Sequence, residues 1–280
     1  MNYTPTIDDA AWASIKGLVA DSVSRCSGNT AYSDTDLYQA ATRFVAWTQS
    51  STALSLADDL FAPSVIEDFV AQGLPDYAPA SRGNRRSILL RMSETILGER
   101  ASRVRLKALP SSEPSRPYSD EEISSLRKWA RELSSLRRTR AMALLGLGIG
   151  AGLSSGEITA LRCGDVASTG AGVVVSVCGA RARDVTVQRG WERAVSEAVS
   201  GGDDDRWVFC PERTTGGKNM VTNFLAKNLS ADVRPNVQRM RATWIVGQLD
   251  RGTPALQLVK ESGVRSMAAL SRFVPFADAA

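Results

Sequence analysis

Three prolines and three serines fall within the eleven residues Ala108–Tyr118, ALPSSEPSRPY. Proline cannot continue a helix and serine buries little, so this stretch forms no regular element and joins no core. It reads as a linker over 108–118 that divides the 280-residue chain into two parts of ordinary domain size. Hydrophobic residues make up 43% and charged residues 23%, enough for two cores and too balanced for wholesale disorder.

Upstream of the linker the apolar residues recur at helical spacing. One helix is expected within residues 1–30, with Trp12, Ile15, Leu18 and Val19 on one face. A second, capped by Asp34 or Asp36, carries Leu37, Ala40, Ala41, Phe44, Val45 and Trp47. A third begins at Ser64 and stops at Gly73. A fourth begins at Ser81, with Ile88, Leu89, Met92, Ile96 and Leu97 inward and Arg82, Arg85, Arg86 and Arg91 outward. Residues 31–107 thus form a small helical domain, and 1–30 a helical extension of it.

Downstream, over 119–280, Ser119 and Glu122 form a capping box that starts a helix. Further helices are expected through Leu133, from Thr139 toward Leu147, and over Glu157–Arg162, Trp191–Val199, Thr222–Leu229, Val237–Leu249, Pro254–Lys260 and Ser266–Phe273. The runs Gly172–Val177 and Asp184–Val187 flank a tight basic turn and read as a β-hairpin. Trp207-Val208-Phe209 is a short buried run. The expected fold is mainly α with a small antiparallel β-sheet, in two domains.

Several chemistries are excluded. There is no histidine, so no Ser-His or Cys-His nucleophile can form. Cys26, Cys163, Cys178 and Cys210 are scattered without metal-ligand spacing, so neither a metal nor a cofactor is expected. The N-terminal residues lack a basic segment followed by an apolar run, and no run of about 18 apolar residues occurs. A cytoplasmic, nucleoid-associated protein with no membrane partner is the expectation.

Charge is unevenly spread. Residues 1–81 carry three Lys/Arg against ten Asp/Glu, whereas 82–107 carry eight against two. A basic stripe beside an acidic segment suggests one face built for a polyanion.

Three boxes then carry a family likeness. The first is Gly152-Leu153-Ser154-Ser155-Gly156-Glu157, followed by Leu161-Arg162-Cys163-Gly164-Asp165-Val166. The second is the hairpin Val177-Cys178-Gly179-Ala180-Arg181-Ala182-Arg183. The third is Gln238-Arg239-Met240-Arg241, from which Gly252, Gly263 and Phe273 follow at intervals of eleven, eleven and ten. The order and spacing of these boxes resemble the tyrosine recombinases, the phage integrase family, over residues 31–280. The resemblance implies a helical core-binding domain followed by a catalytic-like domain.

It also implies a degenerate centre. Ser154 stands where the family has its first catalytic arginine, Cys178 where it has a lysine, and Gln238 where it has a histidine. Val264 stands where the family has a histidine or tryptophan, and Phe273 where it has the nucleophilic tyrosine; only Arg241 is kept. In that chemistry a tyrosine hydroxyl attacks a DNA phosphate, two arginines stabilise the phosphate charge, and lysine and histidine move protons. Phenylalanine keeps the ring and loses the oxygen.

The expectation is therefore a non-enzyme that binds double-stranded DNA, as a repressor of phage or mobile-element origin in a bacterial or infected host cell. An accessory or architectural factor acting with a related recombinase, a divergent active recombinase, and a protein-interaction module are the alternatives. Candidate DNA-binding residues are Arg82, Arg85, Arg86, Arg91, Arg181, Arg183, Lys218, Asn219, Arg239 and Arg241. Only seven residues follow Phe273, so a monomer or weak dimer off DNA is expected, with self-association on DNA.

Overall fold

The computed structural model describes residues 3–51, 60–103, 113–170, 172–215, 217, 219–229 and 232–277. The chain forms two compact units, Met1–Ser112 and Glu113–Ala280.

The first unit is a helical bundle of α1 (Asp9–Cys26), α2 (Asp34–Ser51), α3 (Pro63–Gln72) and α4 (Pro79–Leu97). Each start has a local cause. Asp8 accepts the Ala10 N–H at 3.0 Å and caps α1. Ser33 and Asp36 bond reciprocally ahead of α2. Pro63 and Pro79 open α3 and α4, where the missing N–H would be unpaired anyway, so both helices begin slightly ahead of the serines expected to start them.

Phe44 anchors the core, meeting Phe61 and Phe69 edge-on at 5.2 and 5.3 Å. The stripe Leu37, Ala40, Ala41, Phe44 and Val45 is fully buried, as are Leu89 and Met92 of α4. Ile15, Val19, Val23 and Cys26 of α1 lie in the same core. α1 therefore shares the core of the bundle, where it supplies a buried face against α2 and α4.

The second unit contains α5 (Asp120–Glu132), α6 (Ser135–Leu145), α7 (Ser155–Ala160), β1 (Val166–Thr169), β2 (Gly172–Val177), β3 (Arg183–Thr186), α8 (Arg189–Val199), α9 (Met220–Lys227), α10 (Val237–Asp250), α11 (Ala255–Ser262) and α12 (Met267–Ser271). The sheet is antiparallel in the order β1-β2-β3, with Val175 opposite both Val166 and Val185. The sequence shows only two of these strands. In β1 only Val166 is even half-buried, so the strand has no alternating pattern to betray it.

The expected Ser119–Glu122 capping box is present at α5. Trp207 pairs with Arg162 across an isolated bridge and is sandwiched between the Arg162 and Arg213 guanidiniums, while Val208 and Phe209 are buried.

Between α6 and α7 the chain runs Gly146-Leu147-Gly148-Ile149-Gly150-Ala151-Gly152, with a π-helical turn over 146–150. These glycines are needed for close approach. A Cβ on Gly148 would fall 2.8 Å from the Met240 sulfur, one on Gly150 2.6 Å from Trp191 Cβ, and one on Gly152 2.4 Å from the Trp244 ring. Gly152 also has φ +65. The run draws the start of α7 against α10, which brings Ser154, Glu157 and Arg241 together. No helix among the described residues is long and apolar enough to cross a membrane.

Candidate functional site

The centre of the second unit is organised by Glu157. Its carboxylate accepts the Ser154 N–H at 2.8 Å and the Ser154 hydroxyl at 2.9 Å. Arg183 donates to its other oxygen at 2.7 Å, and Arg241 stands 3.8 Å away. Burial pushes this carboxyl up, but the hydrogen bonds from Arg183 and Ser154 and the Arg183 charge outweigh burial and hold it at about 2. Ser154 thus caps α7, with Glu157 completing a capping box.

Arg241 is turned inward. It donates to the carbonyls of Gly152 and Ser262, joining the turn before α7 to the end of α11. Burial depresses its guanidinium; Glu157 opposes this, and the Arg183 and Arg181 charges add to it. Expected as a phosphate contact, Arg241 directs two of its N–H groups to the protein's own backbone.

Arg183 also departs from expectation. It is the first residue of β3 rather than part of an exposed turn, and its side chain is only 6% exposed. Its Nε donates to the Glu261 carbonyl at 2.6 Å, Nη1 binds Glu157, and Nη2 is buried without a partner among the described residues. It packs over Gly263, where a Cβ would fall 2.7 Å from Nη1. Gly263 ends α11 with φ +64, so this glycine serves both a left-handed helix end and an arginine berth. Sequence reasoning missed this role, although the Gly263 spacing marked the position.

The other positions expected to be degenerate are Cys178, Gln238, Val264 and Phe273. Cys178 is exposed, its thiol 3.7 Å from an Asp165 oxygen. Gln238 is exposed near the start of α10, its N–H bonded to Asn236. Val264 and Phe273 are partly buried and pack against the core; the Phe273 N–H donates to Leu270 at 2.9 Å.

Arg239 is also bonded within the protein. It binds Glu122 at 2.7 and 2.8 Å, donates to the carbonyls of Arg116 and Pro117, and lies 3.9 Å over the Tyr118 ring. It fastens the segment before α5 to α10. Arg181 remains exposed in the hairpin turn, and Asn219 is exposed at the start of α9. Lys218 lies outside the described residues.

In the first unit the basic face of α4 divides. Arg82 donates to the carbonyls of Tyr77 and Pro75 and holds the turn before the helix. Arg86 pairs with Glu67 at 2.6 Å, pinning α4 to α3, with a side chain only 14% exposed. These two were expected outward and are instead bundle staples. Arg91 is exposed and partnered by Glu94 one turn on. Arg85 faces a polar depression shared with α2, 5.8 Å from the Tyr77 ring. Arg43 lies 5.1 Å from the centroid of the same ring and donates to the Tyr77 hydroxyl at 3.1 Å. Sequence reasoning overlooked Arg43 because it is one of only three basic residues in an acidic segment.

Solved structures share this architecture. The XerH site-specific recombinase bound to difH substrate, in its pre-cleavage complex, has a TM-score of 0.64 at 12% identity over 98% of this chain and 88% of that one. The Tn1549 transposon integrase in complex with circular intermediate DNA gives 0.61 at 15%, over 95% and 96%. A lambda integrase tetramer bound to a Holliday junction gives 0.59 at 10%, over 94% and 77%. No family model and no curated protein matches the sequence. At these identities the likeness is one of fold: the chain has the tyrosine-recombinase fold, mainly helical with a small antiparallel sheet.

Proposed function

We propose that this chain is an integrase-like protein that binds double-stranded DNA without cutting it, and that it acts as a sequence-specific repressor of phage or mobile-element origin. The observation that carries the first part is the Glu157 network. Where phosphate chemistry needs two arginines facing a ligand, Arg241 and Arg183 are tied to Glu157 and to backbone carbonyls. Phe273 offers no hydroxyl for a phosphotyrosyl bond. Retention of the fold, together with the DNA complexes formed by structural neighbours, supports duplex DNA as the partner.

Three experiments test this. A nicked duplex carrying the bound site, which traps covalent recombinase intermediates, should yield no adduct with this protein. Phe273→Tyr alone should yield none either, because Ser154 still supplies no guanidinium. An adduct with the natural chain would overturn the reading. The second experiment maps bound sites across the genome and titrates the best duplex against salt. Affinity should fall steeply as salt rises, since phosphate contacts release counterions, and Arg181→Ala should flatten that slope. If no duplex binds at low salt, DNA binding fails. Deletion of the gene should derepress promoters beside the mapped sites; a change in recombination with transcription unaltered would favour an accessory role instead.

A further inference from the structure

We infer that the first unit contains a binding site for a small anion, of the phosphate-monoester class, in the cavity beside Tyr77. The cavity measures about 240 Å³. One wall is formed by the N-terminal segment 3–7; the other carries Gln39, Thr42, Arg43, Tyr77 and Arg85. Tyr3 stacks on Tyr38 at 5.0 Å and meets Trp12 edge-on at 5.8 Å, which holds that segment against α2.

Two observations point to a ligand. First, Arg43 and Arg85 converge on one cavity, and no carboxylate lines it. Neither guanidinium is paired with a carboxylate among the described residues. Their positions over the Tyr77 ring, 5.1 and 5.8 Å from its centroid, leave their charge uncancelled. Second, the remaining polar groups are Gln39 and the hydroxyls of Tyr3, Thr4, Thr6 and Tyr77. Two guanidinium forks surrounded by neutral donors suit a phosphate on a small hydroxylated body. A site walled on two sides in this way fits a compact molecule better than a duplex backbone. The inference does not depend on the DNA-binding reading.

The test uses the full chain and inorganic phosphate, with a sugar phosphate as a second probe, at constant ionic strength set by chloride. Calorimetric titration should give saturable binding of one equivalent, and the sugar phosphate should bind more tightly than phosphate alone. Arg43→Ala and Arg85→Ala should each weaken binding at least tenfold, and Arg43→Lys should recover part of the loss. No saturable phosphate or sugar-phosphate binding by the natural chain would overturn the proposal. So would binding that survives both alanine variants, or a duplex that needs Arg43 and Arg85 while small phosphates leave it undisturbed; the last would make the cavity part of a DNA surface.

Discussion

Each unit of this protein holds a pair of arginines around one central residue, and the two pairs have opposite fates. In the second unit Arg183 and Arg241 surround a carboxylate, Glu157. In the first, Arg43 and Arg85 flank a neutral ring, Tyr77. A carboxylate consumes cationic charge and fixes the geometry; an aromatic ring fixes geometry and leaves the charge available. At the position resembling a catalytic centre the two arginines are bound by the protein's own carboxylate and backbone carbonyls. The surface that carried the weaker sequence signal retains uncompensated charge.

The contrast is tested most severely by Glu157→Ala. Removing one member of a buried pair leaves its partners charged and unmatched, a loss of about 3–5 kcal/mol. Here two arginines lose their anion at once and α7 loses its capping box. Urea denaturation of the full chain should show a large fall in the midpoint of the second unit. A loss under about 1 kcal/mol would mean that the network is not a joint.

Acid should act on the same joint. Glu157 has its carboxyl lowered from 4.5 to about 2. A group with a depressed folded value contributes stability that is present above its unfolded value and is lost as pH falls through the folded one. The contribution is about 3 kcal/mol at neutral pH, declining between pH 4.5 and about 2. The side chain is only 15% exposed, so solvent screening reduces this little. Glu157→Gln should flatten the stability profile across that window. An unchanged profile would place the acid sensitivity elsewhere.

A substitution beside the joint should cost less. Gly263→Ala must adopt φ +64 and fit a methyl group 2.7 Å from the Arg183 guanidinium. The left-handed backbone costs on the order of 1–2 kcal/mol, and displacing Arg183 adds to it. Gly252→Ala has a similar backbone angle, φ +70, but meets no atom within 4 Å. The two glycines occupy successive steps of the same spacing pattern. Thermal melting of both variants therefore separates backbone strain from the Arg183 berth, and equal losses would argue that Arg183 does not depend on Gly263.

Helices were legible in the sequence because one period places their apolar residues: Leu37, Ala40, Ala41 and Phe44 needed no partner to be recognised as core. The glycine frame was legible through its intervals. The fate of individual arginines was not. Arg239 meets Glu122 across 117 positions, Arg183 meets the Glu261 carbonyl across 78, and Arg86 meets Glu67 across 19. Neither local spacing nor net charge encodes such pairings. Arg183 illustrates the limit: beside a tight basic turn it reads as a surface residue, and only the strand register turns it inward. The first unit's cavity was hidden for a related reason, since Arg43, Tyr77 and Arg85 come from three separate stretches of chain.

The smallest expected effect completes the comparison. Arg85→Ala removes a guanidinium that lies 5.8 Å from the Tyr77 ring centroid and pairs with no carboxylate among the described residues. Its loss should change stability by no more than about 0.5 kcal/mol, the scale of surface substitutions and exposed cation–π contacts. Arg43→Ala also loses the hydrogen bond to the Tyr77 hydroxyl, so it should cost up to about 1 kcal/mol more. Urea midpoints for these variants, set beside Glu157→Ala, bear directly on the distinction drawn from geometry. Near-equal losses in the two units would make Tyr77 as much a structural centre as Glu157. A several-fold gap would mean that the first unit keeps its arginines at little cost to the fold, the condition under which they remain available to a ligand.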